Sequence, residues 1–277
     1  MISGLTLEYA NARVAARLGQ RPDERLWSQL RSARSLPALL EAMRASVAAS
    51  MVSGVPAGGD ADAVELAFRQ QLRTRIAEVA AWSPAEWRPA VTYTAQLVDL
   101  PALLHLLGDE RPPPWIAADP LLAPYALATL AQRSAALSDS PLGALVAAVE
   151  RDAAAHAAGE WSVRRALRSR STAALHPLLR AWHAGWRARW PAMDEEHRTE
   201  VEQVVRAIRS HLQRFPSTPP DDAGAERVTL AGRLATLVRR HATRPASLFA
   251  YIALFALDLE RVRGEFATRA RPLGGLR

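Results

Sequence analysis

Apolar residues recur every three or four positions along almost the whole chain. Leu248, Ile252, Phe255, Leu259, Val262 and Phe266 step by four, three, four, three and four, so on an α-helix they line one face. Val64, Phe68, Leu72, Ile76 and Val79 repeat the pattern, as do Val201, Val204, Ile208, Leu212 and Phe215. Strand-type alternation is nearly absent, and the pattern predicts an all-α protein built as helical bundles. Pro and Gly punctuate residues 54–62, 110–120 and 215–226, which read as loops.

One device occurs twice. SLPALLEAM begins at Ser35 and DLPALLHLL at Asp99, each with a capping side chain, a Pro two places on and then a Leu pair. Ser and Asp cap helices by accepting a bond from an unpaired first-turn N–H, and Pro near the start has no N–H to satisfy. A looser copy starts at Asp258 without the Pro, and there the apolar period predicts a helix running straight through. Either a duplicated building block or a common cap recurring by chance accounts for the repetition.

Composition narrows the chemistry. With 277 residues the chain can bury a substantial core, as one large domain or two smaller ones. Net charge is +7, and all 35 basic residues are Arg. We read this as coding bias in a GC-rich genome, although a basic excess also suits polyanions. Without Lys, a phosphate loop ending in Gly-Lys and Schiff-base catalysis are excluded. Without Cys, thiolate catalysis, disulfides and Cys-bound zinc are excluded. The N-terminus carries Glu8 and Arg13 where a secretory signal needs an apolar core, and the longest apolar run, 247–257, is too short to span a bilayer. The expectation is a cytoplasmic protein.

No pair of His residues has the His-Glu-x-x-His spacing of a helical metal site. His176 and His183 could share a face, but no carboxylate lies within a turn of either. Asp194 to His197 reads as a helix start, where acidic groups favour the dipole. Asp221, Asp222 and Glu226 loosely resemble the magnesium motifs of helical terpenoid enzymes, yet they follow Pro219 and Pro220 in a loop. We therefore expect no catalytic residues, no metal and no cofactor.

The most unusual segment is 161–190. Trp182, Trp186 and Trp190 stand at i, i+4 and i+8, flanked by Arg180, Arg187 and Arg189 and preceded by Arg164, Arg165, Arg168 and Arg170. Two readings stay open: a core-facing aromatic stripe with a solvated Arg edge, or a binding surface, since Trp and Arg dominate interface hot spots and also hold nucleic acid. The partner-binding candidates are Arg164, Arg165, Arg168, Trp182, Trp186 and Arg189.

The termini carry a family resemblance. YANARVAARL at 9–18 resembles the opening helix of the C subunit of archaeal-type ATP synthases, called subunit d in vacuolar-type ATPases, and residues 25–52 look like its continuation into a Leu-rich second helix. FAYIALFALDLERVRGEFATRARPLGG at 249–275 is similar to the family's closing helix, with Asp258, Glu260, Val262 and Arg263 in its acidic and apolar-Arg places. Ala102 and Arg261 stand where the family usually has Asn.

The resemblance implies one all-α domain of three related bundles, about 1–110, 111–200 and 201–277, arranged as a funnel and headed by equivalent helices at Ser35, Asp99 and Asp258. It also implies a non-enzymatic rotor part that takes no small-molecule substrate. Such a part receives the central shaft, sits on the membrane rotor ring and meets the membrane only through the complex. The alternative is an Arg-rich helical protein that binds nucleic acid or regulates.

Overall fold

A computed structural model describes residues 6–108, 110–155, 175–214 and 222–270. Among these residues the protein is all-α, with no strand. Its helices are α1 (Leu7–Gly19), α2 (Glu24–Ser32), α3 (Leu36–Arg44), α4 (Ala61–Trp82), α5 (Arg88–Tyr93), α6 (Gln96–Leu106) and α7 (Pro114–Ala118). They continue with α8 (Leu130–Ser138), α9 (Pro141–Ala155), α10 (Leu175–Arg187), α11 (Glu195–Arg214), α12 (Ala223–Arg240) and α13 (Ala246–Ala270).

Local chemistry starts many of them. Thr6, Asp23, Ser35 and Asp60 accept bonds from first-turn N–H groups of α1 to α4. Asp194 does the same for α11, accepting from the His197 N–H at 2.8 Å. Thr129 and Gln132 form a reciprocal capping box on α8.

Two long helices organise the packing. α4 lies against α13, and each gives one end to each of two apolar cores. Ile76 and Val79 of α4 meet Leu248 and Ile252 of α13 in the larger core; Val64 and Phe68 meet Phe255, Leu259, Val262 and Phe266 in the smaller one. The opposite order along the two chains makes the pair antiparallel. All six α13 seam residues are buried. Trp27, Leu30, Leu39, Leu40 and Met43 of α2 and α3 close the smaller core. The larger core is completed by α5 to α12, with α1 seated on both α4 and α13. At ~1.5 Å per residue, α13 is a strut about 37 Å long.

The repeated device does not mark three equivalent helix starts. Ser35 is a true cap, with extended backbone and Ala38 N–H on its hydroxyl at 3.4 Å. Asp99, by contrast, lies inside α6, because residues 94–98 are already turned: the Leu97 and Val98 N–H groups donate to Thr94 and Ala95 carbonyls, both at 3.0 Å. Pro101 therefore sits within the helix. Asp258 lies in the middle of α13, which runs straight through as the period predicted. Both aspartates are buried and serve as ion-pair partners rather than caps. All three expected loops are also shorter than the sequence suggested: α4 already begins at Ala61, 110–120 contains α7, and Glu226 belongs to α12. Residues 215–221 lie outside the described residues.

Candidate functional site

The tryptophan stripe faces inward. Trp182 and Trp186 stack at 5.2 Å and 17°, and Trp186 meets Trp190 and Phe249 edge-on at 5.0 and 4.8 Å. Tyr93 stacks on Trp182 in turn, at 6.2 Å. Both buried indoles find acceptors, Trp186 Nε1 donating to the Ala90 carbonyl at 2.9 Å and Trp182 Nε1 to the Tyr93 carbonyl at 3.3 Å. The ladder holds α10 against α5 and α13. Gly185 permits the approach: a Cβ there would stand 2.4 Å from the Tyr93 hydroxyl oxygen.

Of the partner-binding candidates, Trp182 and Trp186 are thus core residues, because stacking and hydrogen bonding consume the faces a partner would use. Arg189 is exposed; its guanidinium lies 3.8 Å over the Tyr93 ring and donates to the Gly185 carbonyl at 2.6 Å. Burial pushes the Tyr93 hydroxyl above the ordinary tyrosine pKa, against the pull of Arg189. Arg164, Arg165 and Arg168 lie outside the described residues. His183, read from the sequence as lacking a nearby carboxylate, meets Glu202 of α11 at 3.6 Å, and burial lowers its pKa against that attraction.

Arginine also staples the interior. Arg73 of α4 bridges two buried carboxylates, Asp99 of α6 and Asp119 just after α7, the latter at 2.6 Å. One turn away, Arg69 bonds Glu65 and the Val98 carbonyl of α6. Arg133 gives its N–H groups to five backbone carbonyls from residues 106 to 128. The chain termini are stapled likewise. Arg21 grips Asp258 bidentately at 2.6 and 2.7 Å, and Arg261 grips Glu24 at 2.6 and 2.9 Å while lying over Trp27. Asn11 bonds Ser247, and Arg269 donates to the carbonyls of Leu30, Arg31 and Ala33. Burial pushes the carboxyls of Asp99 and Asp258 above the ordinary range, opposed by Arg73 and Arg21.

Two concavities stand out among the described residues. One, of about 640 Å³, lies at the start of α11 beside Glu195, Glu196, Arg240 and Arg244, above a buried Glu200–His241 pair at 3.3 Å. The other, of about 250 Å³, lies between the end of α1, residues 47–51 and the middle of α13. Among the described residues no three His, Asp or Glu side chains converge as a metal-ligand set, and no helix is long and apolar enough to cross a membrane.

Fold and surface together define a class: an all-α scaffold whose helices are cross-linked by arginine. Comparison with protein-family models, with curated proteins and with solved structures finds no match for this chain.

Proposed function

We propose that the chain is a non-catalytic coupling subunit in the central stalk of a rotary ATPase of the archaeal and vacuolar type, linking the shaft to the membrane rotor ring. The observation carrying this proposal is that the two terminal segments resembling that family form one mechanical unit. The opening helix α1 packs on the closing helix α13, and Arg21–Asp258, Asn11–Ser247 and Arg261–Glu24 tie the α1–α2 region to α13. Asp258, part of the acidic pattern of the closing helix, is the residue Arg21 holds.

Stiffness is the property such a part needs. Torque passes through a body only if its elements do not slide, and close-packed cores resist deformation. The antiparallel α4–α13 pair runs through both cores, and Arg263 of α13 pairs with Glu65 of α4. Charge-assisted bonds fix the neighbours: Arg73 of α4 holds Asp99 of α6, and Arg261 of α13 holds Glu24 of α2. In this proposal the three-bundle funnel is the arrangement that receives the shaft, and the chain is peripheral to the membrane through its complex.

The test is affinity purification of the tagged full-length chain from native membranes, with bound proteins identified by mass spectrometry. Shaft and rotor-ring subunits are expected in near-equal amounts. Recovery of neither would reject the proposal. Nucleic acid recovered instead, and released by Arg189→Glu, would establish the alternative of an Arg-rich nucleic-acid binder.

A further inference from the structure

The smaller concavity is rich in arginine. Three arginines border it: Arg17 and Arg21 from the end of α1, and Arg75 from α4. Two carboxylates reach them. Asp258 takes Arg21 through its Nε and Nη2, and Glu78 takes Arg75 at 2.9 Å. Arg17 lies 3.8 Å from Glu78, beyond hydrogen-bonding distance, and Arg21 Nη1 makes no bond among the described residues. Glu24 also attracts Arg21, but Arg261 already holds it, so with that pair included four guanidinium groups face three carboxylates and one positive charge is left over. Interior arginines elsewhere are otherwise occupied: Arg69 holds Glu65 and the Val98 carbonyl, the partly buried Arg73 holds two aspartates, and Arg133 holds five carbonyls.

The remaining wall is suited to a ligand with an apolar stem. Met51, Leu254 and Phe255 give it an apolar part beside the polar Gln20 and Ser50, and Arg75 already lies 4.6 Å over the Phe255 ring. Tyr251 lines the same cavity, and burial pushes its hydroxyl above the ordinary tyrosine pKa, opposed by Arg75 and Arg17, so it is a neutral donor at physiological pH. A cavity of about 250 Å³ holds roughly eight waters at ~30 Å³ each, the room for a carboxylate and a short carbon chain. A guanidinium fork matches a planar carboxylate in two bonds.

We infer that this cavity is a binding site for one carboxylate on a short apolar stem, held by Arg17, the free N–H of Arg21 and the Tyr251 hydroxyl. The site stands independently of the rotary proposal. Such a group comes either from a small organic acid or from an acidic side chain of a protein partner, and the two sources are experimentally separable.

The test uses full-length protein with nitrogen-15-labelled arginine, titrated with sodium butyrate, with acetyl-Leu-Glu-Leu-amide and with its Gln counterpart. The Arg17 and Arg21 side-chain signals are expected to shift and saturate with at least one carboxylate probe but not with the Gln peptide. Tighter binding of the Glu peptide than of butyrate identifies a protein side chain as the ligand, and the reverse order a free acid. Arg17→Gln should weaken binding by about tenfold, the loss of one charge-assisted contact. That guanidinium is partly exposed and makes no close bond, so the melting temperature should not change. Tyr251→Phe, which keeps the ring, should weaken binding as well. Shifts that never saturate with either carboxylate, equal binding by the Gln peptide, or undiminished affinity in a folded Arg17→Gln would each overturn the assignment.

Discussion

Replacing Trp186 by alanine probes the part of the molecule where sequence patterns left most open. The side chain is 2% exposed, lies within 5.2 Å of three other aromatic rings, and donates to the Ala90 carbonyl. Removing a buried Trp costs ~3–5 kcal/mol through lost transfer energy and the cavity left behind. Two aggravating effects push toward the upper end. The Ala90 carbonyl loses a buried partner, worth about 1–3 kcal/mol, and each lost aromatic pair is worth ~0.5–1.5 kcal/mol beyond area. These contributions overlap, so the expected loss is about 4–5 kcal/mol, a large fraction of the ~5–15 kcal/mol that stabilises a typical protein. Urea unfolding followed by far-ultraviolet circular dichroism measures it, with an unchanged slope confirming the same transition. Trp186→Phe keeps an aromatic ring and gives up the N–H, so its cost should be nearer ~1–2 kcal/mol. An alanine cost below ~1.5 kcal/mol would show that the stripe is not core. A Phe variant as damaged as the Ala variant would show that ring packing is not the cause.

Two further perturbations test the arginine staples and the buried phenols. Arg73→Ala should cost about 3–5 kcal/mol, because it removes the guanidinium that bonds both buried carboxylates and leaves Asp99 only the unbonded attraction of Arg69, whereas Arg73→Ala combined with Asp99→Asn and Asp119→Asn should be less damaging than the single change; melts of the two variants decide this. Tyr93 and Tyr251 both have folded-state pKa values raised above the ordinary value near 10, so the folded form keeps its protons while the unfolded form loses them, and stability present below pH ~10 should fall as pH rises past it. Absorbance titration near 295 nm should show Tyr93 and Tyr251 ionising above that value, and ionisation of both at the ordinary value in the folded protein would contradict their shielding from water.

Periodicity and capping are local properties, and these were legible in the sequence. The α13 seam from Leu248 to Phe266 is buried at every step, because a 3.6-residue period forces those side chains onto one face whatever they pack against. Ser35 and Asp194 cap their helices as their neighbours dictate. Asp99 has nearly the same following residues as Ser35 and a different fate. Residues 94–98 reach it already turned, so it falls inside a helix, and the crossing of α4 puts Arg73 beside it.

Long-range pairing belongs to the tertiary structure alone. Arg21 and Asp258 are 237 residues apart, and nothing near either names the other. The Trp stripe had two readings because an amphipathic helix does not say which neighbour covers its face; α5 and α13 decided it by supplying Tyr93, the Ala90 carbonyl and Phe249. The cavity beside Arg17 has the same origin. The sequence alone determined an arginine-only basic content and an all-α fold, but the charge left uncompensated there depends on which carboxylates the packing brings within reach, and it brought three to four guanidinium groups.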